Sequence, residues 1–149
     1  MPSVAGQPAG SAPPRPAPRI VVEVGPATGT ETAYRVESPD LLLRLWGLLN
    51  AAGEELRPQD LPPKSLARIQ DLLTTVQADV ERAVSPALAA ELRHVLGARP
   101  PSTDAASVRI EYAALLGWLG GLVIEMFSQL EAEAQAHPVT ARRSASARR

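Results

Sequence analysis

Residues 108–130 read VRIEYAALLGWLGGLVIEMFSQL, and the recurrence of apolar residues along this stretch decides the fold. One stripe runs through Val108, Tyr112, Leu115, Leu119, Leu122 and Met126, and a second through Leu116, Val123, Phe127 and Leu130. The first keeps the three- and four-residue spacings of an α-helix, and the second spacings of seven, four and three, which share a helix face. The helix is predicted to start near residues 102–104 and to run to about residue 136, roughly 50 Å at the standard rise. One short bundle can hardly cover a helix that is apolar round most of its circumference. Neighbouring subunits are therefore expected to share the burial, which predicts a homo-oligomer. Gly117, Gly120 and Gly121 lie inside the same helix, and each costs about 1 kcal/mol relative to alanine. Close approach of another backbone is the expected compensation; the alternative is a kink or break.

Upstream, proline and serine punctuate three further helices. Ser85-Pro86 is read as a cap followed by proline at the first helical position, opening a short helix through Leu88, Leu92, Val95 and Leu96 that Gly97 closes. Before it, Leu66, Ile69, Leu73, Val76, Val80 and Ala83 alternate spacings of three and four, the narrow seam of coiled-coil-like packing. The first helix opens at Ser38-Pro39, with Asp40 in the first turn where the macrodipole favours an acid, and runs to about Leu56. Its predicted stripe is Leu41, Leu45, Leu48, Leu49, Ala52 and Leu56, with Leu42 and Trp46 on a second face. The fold class that follows is all-α, a four-helix bundle-like subunit with a long C-terminal helix, occupying residues 36–136.

The ends read differently. Residues 1–35 form a Pro/Ala-rich arm expected to be disordered, because residues 1–18 hold six prolines and one charged side chain and bury too little to offset ordering. Within the arm, RIVVEVG at residues 19–25 alternates well enough for a short strand. With only a weak partner at residues 32–36, it is read as a transient or partner-stabilised extended segment. Residues 137–149 form a basic tail, also expected to be disordered, with Arg142, Arg143, Arg148 and Arg149 and no acid after Glu133.

Composition limits the functions open to the chain. There is no cysteine among its 149 residues, which removes disulfides, thiolate metal sites and a cysteine nucleophile and fits a reducing compartment. The N-terminus lacks the apolar segment of a signal peptide. The longest apolar run, residues 113–126, already contains Glu125 and is shorter than the ~20 residues of a membrane span. A cytoplasmic protein with no membrane partner is expected. His94 and His137 have no companion at metal-ligand spacing, Glu54/Glu55 and Glu131/Glu133 read as solvated charges, and residues 25–30 lack the lysine of a phosphate-binding loop. No catalytic residue, metal or cofactor is expected, and the chain is not read as an enzyme.

The order of these elements and three local blocks carry a resemblance. VESP at residues 36–39 opening a helix, SPALAAEL at residues 85–92 opening a short one, and Arg109-Ile110 followed by LLGWL at residues 115–119 resemble the ATP-independent bacterial proteasome activator family of actinobacteria. The clearest block is Leu116-Gly117-Trp118-Leu119 followed by Gly121-Leu122, and the similarity covers about residues 36–130. The resemblance implies a subunit that assembles into a twelve-membered ring, stacks on the 20S proteasome, and opens its gate to unstructured protein substrates without ATP. Leu115, Gly117, Trp118, Leu119, Gly121, Leu122 and Met126 would then serve packing and assembly. The family's Gly-Gln-Tyr-Leu tail has no counterpart in Ala147-Arg148-Arg149, so no docking residue carries over, and Gly120 stands where the family usually has an acid. A divergent paralogue is expected, alone or co-assembled with a tailed one. The alternative is a helical regulator or scaffold that holds nucleic acid or an acidic partner through the arginine tail. The formal net charge of -1 and the lack of aromatic neighbours around those arginines give that reading only a weak electrostatic footprint.

Overall fold

The computed structural model describes residues 20–24, 34–97 and 104–136. Four α-helices carry the fold: α1 (Pro39–Ala52), extended by a 3-10 turn (Gly53–Leu56), α2 (Pro63–Ala83), α3 (Pro86–Leu96) and α4 (Ala105–Ala136). A small antiparallel hairpin precedes them, β1 (Val22–Glu23) against β2 (Arg35–Val36). The first three helices each open on proline, whose fixed φ suits the helix and whose missing N–H is no loss at that position. Gly97 closes α3 at φ +70°, a left-handed conformation that glycine adopts without the Cβ penalty.

The core is built where the helices face one another. Ile69, Leu73, Val76, Val80 and Ala83 of α2 are all buried, as the alternating spacing predicts. In α1 the phase differs from the expected one. Leu42, Leu45, Leu49 and Ala52 enter the core, while Leu48 is 46% exposed. The leucine run 41–43 with 45, 48 and 49 offers several apolar phases, and contact with α2 and α4 selects among them. Leu88, Ala89 and Leu92 of α3 complete that side, leaving Val95 exposed.

In α4 the buried residues are Val108, Leu115, Leu119, Leu122, Val123 and Met126. Five of the six residues of the first stripe are thus buried inside a single chain, and Tyr112 is partly buried. Of the second stripe only Val123 is fully buried, and Phe127 stays 47% exposed. The helix runs unbroken through Gly117, Gly120 and Gly121, so the kink does not occur. By length and composition α4 is long and apolar enough to cross a membrane, although the uninterrupted apolar run is shorter. Of its apolar stretch 28% is buried, by side chains packed against the other helices.

The hairpin is the second correction. A two-stranded ribbon alone is marginal in water, yet Val22, Val24 and Val36 are buried members of the same core. The register pairs Val22 with Val36 and Glu23 with Arg35, and the Val24 N–H donates to the Tyr34 carbonyl at 2.8 Å. The other edge of β2 is stitched to the junction of α2 and α3. Val36 bridges Val84, the Glu37 and Ser38 N–H groups donate to the Ala83 carbonyl, and the Ser85 N–H donates to the Arg35 carbonyl at 2.8 Å. Ser85 was expected to cap α3 with its side chain. Its hydroxyl is instead buried and accepts from the Arg35 N–H at 3.1 Å, and the Ser85 carbonyl receives the first helical bond, from Ala89. Residues 20–24 and 34–35 therefore belong to the folded unit. The remainder of the expected arm, residues 98–103 and the basic tail 137–149 lie outside the described residues.

Candidate functional site

Where β1, β2, α3 and α4 meet, the surface opens into a groove of about 340 Å³. The hairpin gives it Val24 and Tyr34, α3 gives Leu88 and Glu91, and α4 gives Gly117, Trp118, Gly121, Leu122 and Glu125. Its floor follows from helix geometry. Gly117 and Gly121 are four residues apart, one above the other on the same face, and Glu125 stands one turn further on. A Cβ added at Gly117 or Gly121 would meet nothing within 4 Å. Among the described residues no backbone approaches them, so no contact there offsets their helix-propensity cost. At Gly120 a Cβ would lie 3.5 Å from the Trp46 indole nitrogen, an ordinary contact with a side chain rather than the expected approach of a backbone.

Two carboxylates flank the apolar floor. Glu91 accepts the Trp118 indole N–H at 3.1 Å, which fixes one wall, and Glu125 accepts from the Gln129 amide at 2.9 Å. Among the described residues neither belongs to an ion pair, whereas Glu55, Glu81 and Asp79 each face an arginine. The groove is apolar below and anionic at its edges, with two carboxylates that a cation would find unneutralised.

The family resemblance implies packing and assembly roles for Leu115, Gly117, Trp118, Leu119, Gly121, Leu122 and Met126. The structure divides them. Leu115, Leu119 and Met126 are internal, Gly117, Trp118 and Gly121 line the groove, and Leu122 has a place in both. Arg142, Arg143, Arg148 and Arg149 lie outside the described residues. The outward face of α4 adds Ile124, which the sequence does not single out, to Ile110 of the Arg109-Ile110 pair. Ile110, 57% exposed, and Ile124, 69% exposed, lie seven residues either side of Gly117, on the face opposite the core stripe.

A second cluster joins α4 to the end of α1 and is structural. Arg109 donates from Nε to the Leu56 carbonyl at 3.2 Å and from Nη2 to the carbonyls of Pro58 and Gln59 at 2.5 and 3.1 Å, tying down the link between α1 and α2. One turn along, the Tyr112 hydroxyl donates to the Leu49 carbonyl at 2.8 Å. Burial, then the nearby Glu54 carboxylate, holds this hydroxyl above the ordinary tyrosine value of 10.0. A Cβ at Gly53 would collide with the same hydroxyl, so glycine there makes room for the bond. The Arg109-Ile110 pair was visible in sequence, but the carbonyls that Arg109 binds lie about fifty residues away and no local signal points to them.

Among the described residues no group of histidines, cysteines and carboxylates is placed to hold a metal. No family model matches the chain, and no curated protein matches it.

Proposed function

We propose that this chain is a non-enzymatic, self-assembling helical protein of the proteasome activator type, one that binds unstructured polypeptide and the 20S proteasome without ATP. The observation that carries the reading is the outward face of α4. Ile110 and Ile124, beside the groove and on the face opposite the core stripe, form an apolar surface that the described residues leave uncovered, close to the block that carries the family resemblance. An apolar helix face left in solvent suits burial against another copy, and closed rings repeat one such contact. The bundle architecture and the order of the helices agree with what the family would require. A cytoplasmic location belongs to the same reading, through the proteasome as partner.

Native mass spectrometry of the full chain, alone and mixed with the 20S proteasome of the same organism, tests it. A multi-subunit ring that adds to the proteasome mass is the expected result. A ring that ignores the proteasome would remove the docking half of the proposal, and a monomer at micromolar concentration would remove self-assembly.

A further inference from the structure

We infer that the groove between the hairpin, α3 and α4 docks a short extended segment of an unfolded polypeptide in which basic side chains alternate with large apolar ones. The inference rests on the reading of the chain as a binder of unstructured protein, and names where such a client is held and which sequences are preferred. Three observations carry it. At about 340 Å³ the groove has room for two or three side chains, the footprint of a peptide segment rather than a folded domain. Its floor is apolar and lacks side-chain bulk at Gly117 and Gly121, so a Leu or Phe side chain can descend to the helix backbone. Its edges carry Glu91 and Glu125, which face no described cation.

Charge complementarity then selects the occupant. Two carboxylates repel nucleotides, phosphates and acidic peptides and attract Arg or Lys, with a strength that falls as salt screens it. The chain's own residues 137–149 satisfy only half of this chemistry, since they are rich in arginine but have Val139 as their largest aliphatic residue. A client segment with Leu or Phe beside Arg satisfies both halves.

The test is fluorescence anisotropy of the full chain with a fluorescein-labelled peptide, Leu-Arg-Phe-Leu-Arg-Leu-Phe-Arg, and with its counterpart in which each Arg is Glu. The basic peptide is expected to bind and the acidic one not. The double variant Glu91→Gln, Glu125→Gln keeps an acceptor for Trp118 and should weaken binding roughly threefold to tenfold, since each partly exposed ion pair contributes little. Gly121→Leu fills the floor and should abolish binding, while unchanged circular dichroism would show that the helix is intact. Ile124→Asp, on the outward face but not in the groove, should leave peptide affinity unchanged even where it breaks assembly. Three results overturn the inference: equal binding of the acidic peptide, loss of binding in Ile124→Asp, or displacement of the label by a synthetic 137–149 peptide as readily as by the unlabelled probe. The last would assign the groove to the chain's own tail. A ring that docks on the proteasome but binds no basic peptide would sink this inference alone, and peptide binding by a monomer would sink the ring alone.

Discussion

The two faces of α4 have similar hydropathy and opposite fates. On one, Val108, Leu115, Leu119 and Met126 are almost entirely removed from water by α1, α2 and α3. On the other, Ile110 and Ile124 stand in solvent on either side of Gly117 and Gly121. Apolar content alone does not distinguish them; side-chain volume does. The inner face uses branched and long residues that fill space between helices, as dense packing requires. The outer face has its bulk removed at the centre, where helix propensity would favour alanine over glycine. Among the described residues no contact offsets this cost at Gly117 or Gly121.

The sharpest break of this comparison is a pair of substitutions, one on each face. Leu119→Ala removes a fully buried side chain and should lower the unfolding free energy by about 2–5 kcal/mol, read from chemical denaturation. Ile124→Asp should change it by no more than about 1 kcal/mol, because the site is exposed, yet should shift the native mass toward the monomer. Similar stability losses at the two positions would mean that the outer face is covered in solution by something within the same chain. Loss of assembly from Leu119→Ala in protein that is still folded would mean that the inner stripe serves assembly after all.

Glycine provides a second, smaller contrast between the regions. Gly117→Ala should stabilise the folded monomer by about 0.5–1 kcal/mol through helix propensity, since the new methyl meets nothing within 4 Å. Gly53→Ala, at an ordinary helical φ of -58°, should instead lose about 1 kcal/mol. Its methyl drives the Tyr112 hydroxyl off the Leu49 carbonyl and forfeits that hydrogen bond. Thermal unfolding of both variants in wild-type and Tyr112→Phe backgrounds checks the cause. The Gly53 penalty should largely vanish when the hydroxyl is absent, and a penalty that persists would place the clash elsewhere.

How much of this was legible in the sequence follows from where each signal resides. The α2 seam was readable almost residue by residue, because mostly polar positions separate Ile69, Leu73, Val76, Val80 and Ala83, which are buried, while Leu66 at the start of the seam is partly buried. The α1 phase was not, because consecutive leucines at 41–43 fit more than one face and tertiary contact chose Leu42 over Leu48. The hairpin was underestimated because its stability comes from Val84 and Ser85, some fifty residues from β2, rather than from its own alternation. The groove was half legible. Gly117, Trp118 and Gly121 stood out as a block, but Val24, Tyr34, Leu88 and Glu91 join them only when three separate elements meet. Local periodicity reports faces of helices; it cannot report what two faces enclose.

The smallest effect separates the structural cluster at the end of α1 from the groove by pH. Tyr112 is held above 10.0, first by burial and then by Glu54, so the folded state disfavours the phenolate more than the unfolded chain does. As pH rises past 10.0 the unfolded chain releases this proton first, and the linkage favours unfolding. The stability contributed by the neutral hydroxyl is fully present below the unfolded value and is lost as pH climbs through the higher folded one. Thermal midpoints measured from about pH 9 to about pH 11 should therefore fall more steeply for the wild type than for Tyr112→Phe. Glu54→Gln should recover a minor part of the difference, since burial is the larger cause. Tyr34 is present in every variant and cancels in the comparison. Parallel profiles for the wild type and Tyr112→Phe would show that the hydroxyl is as free in the folded chain as in the unfolded one, and would undo the account of Gly53 together with that of Tyr112.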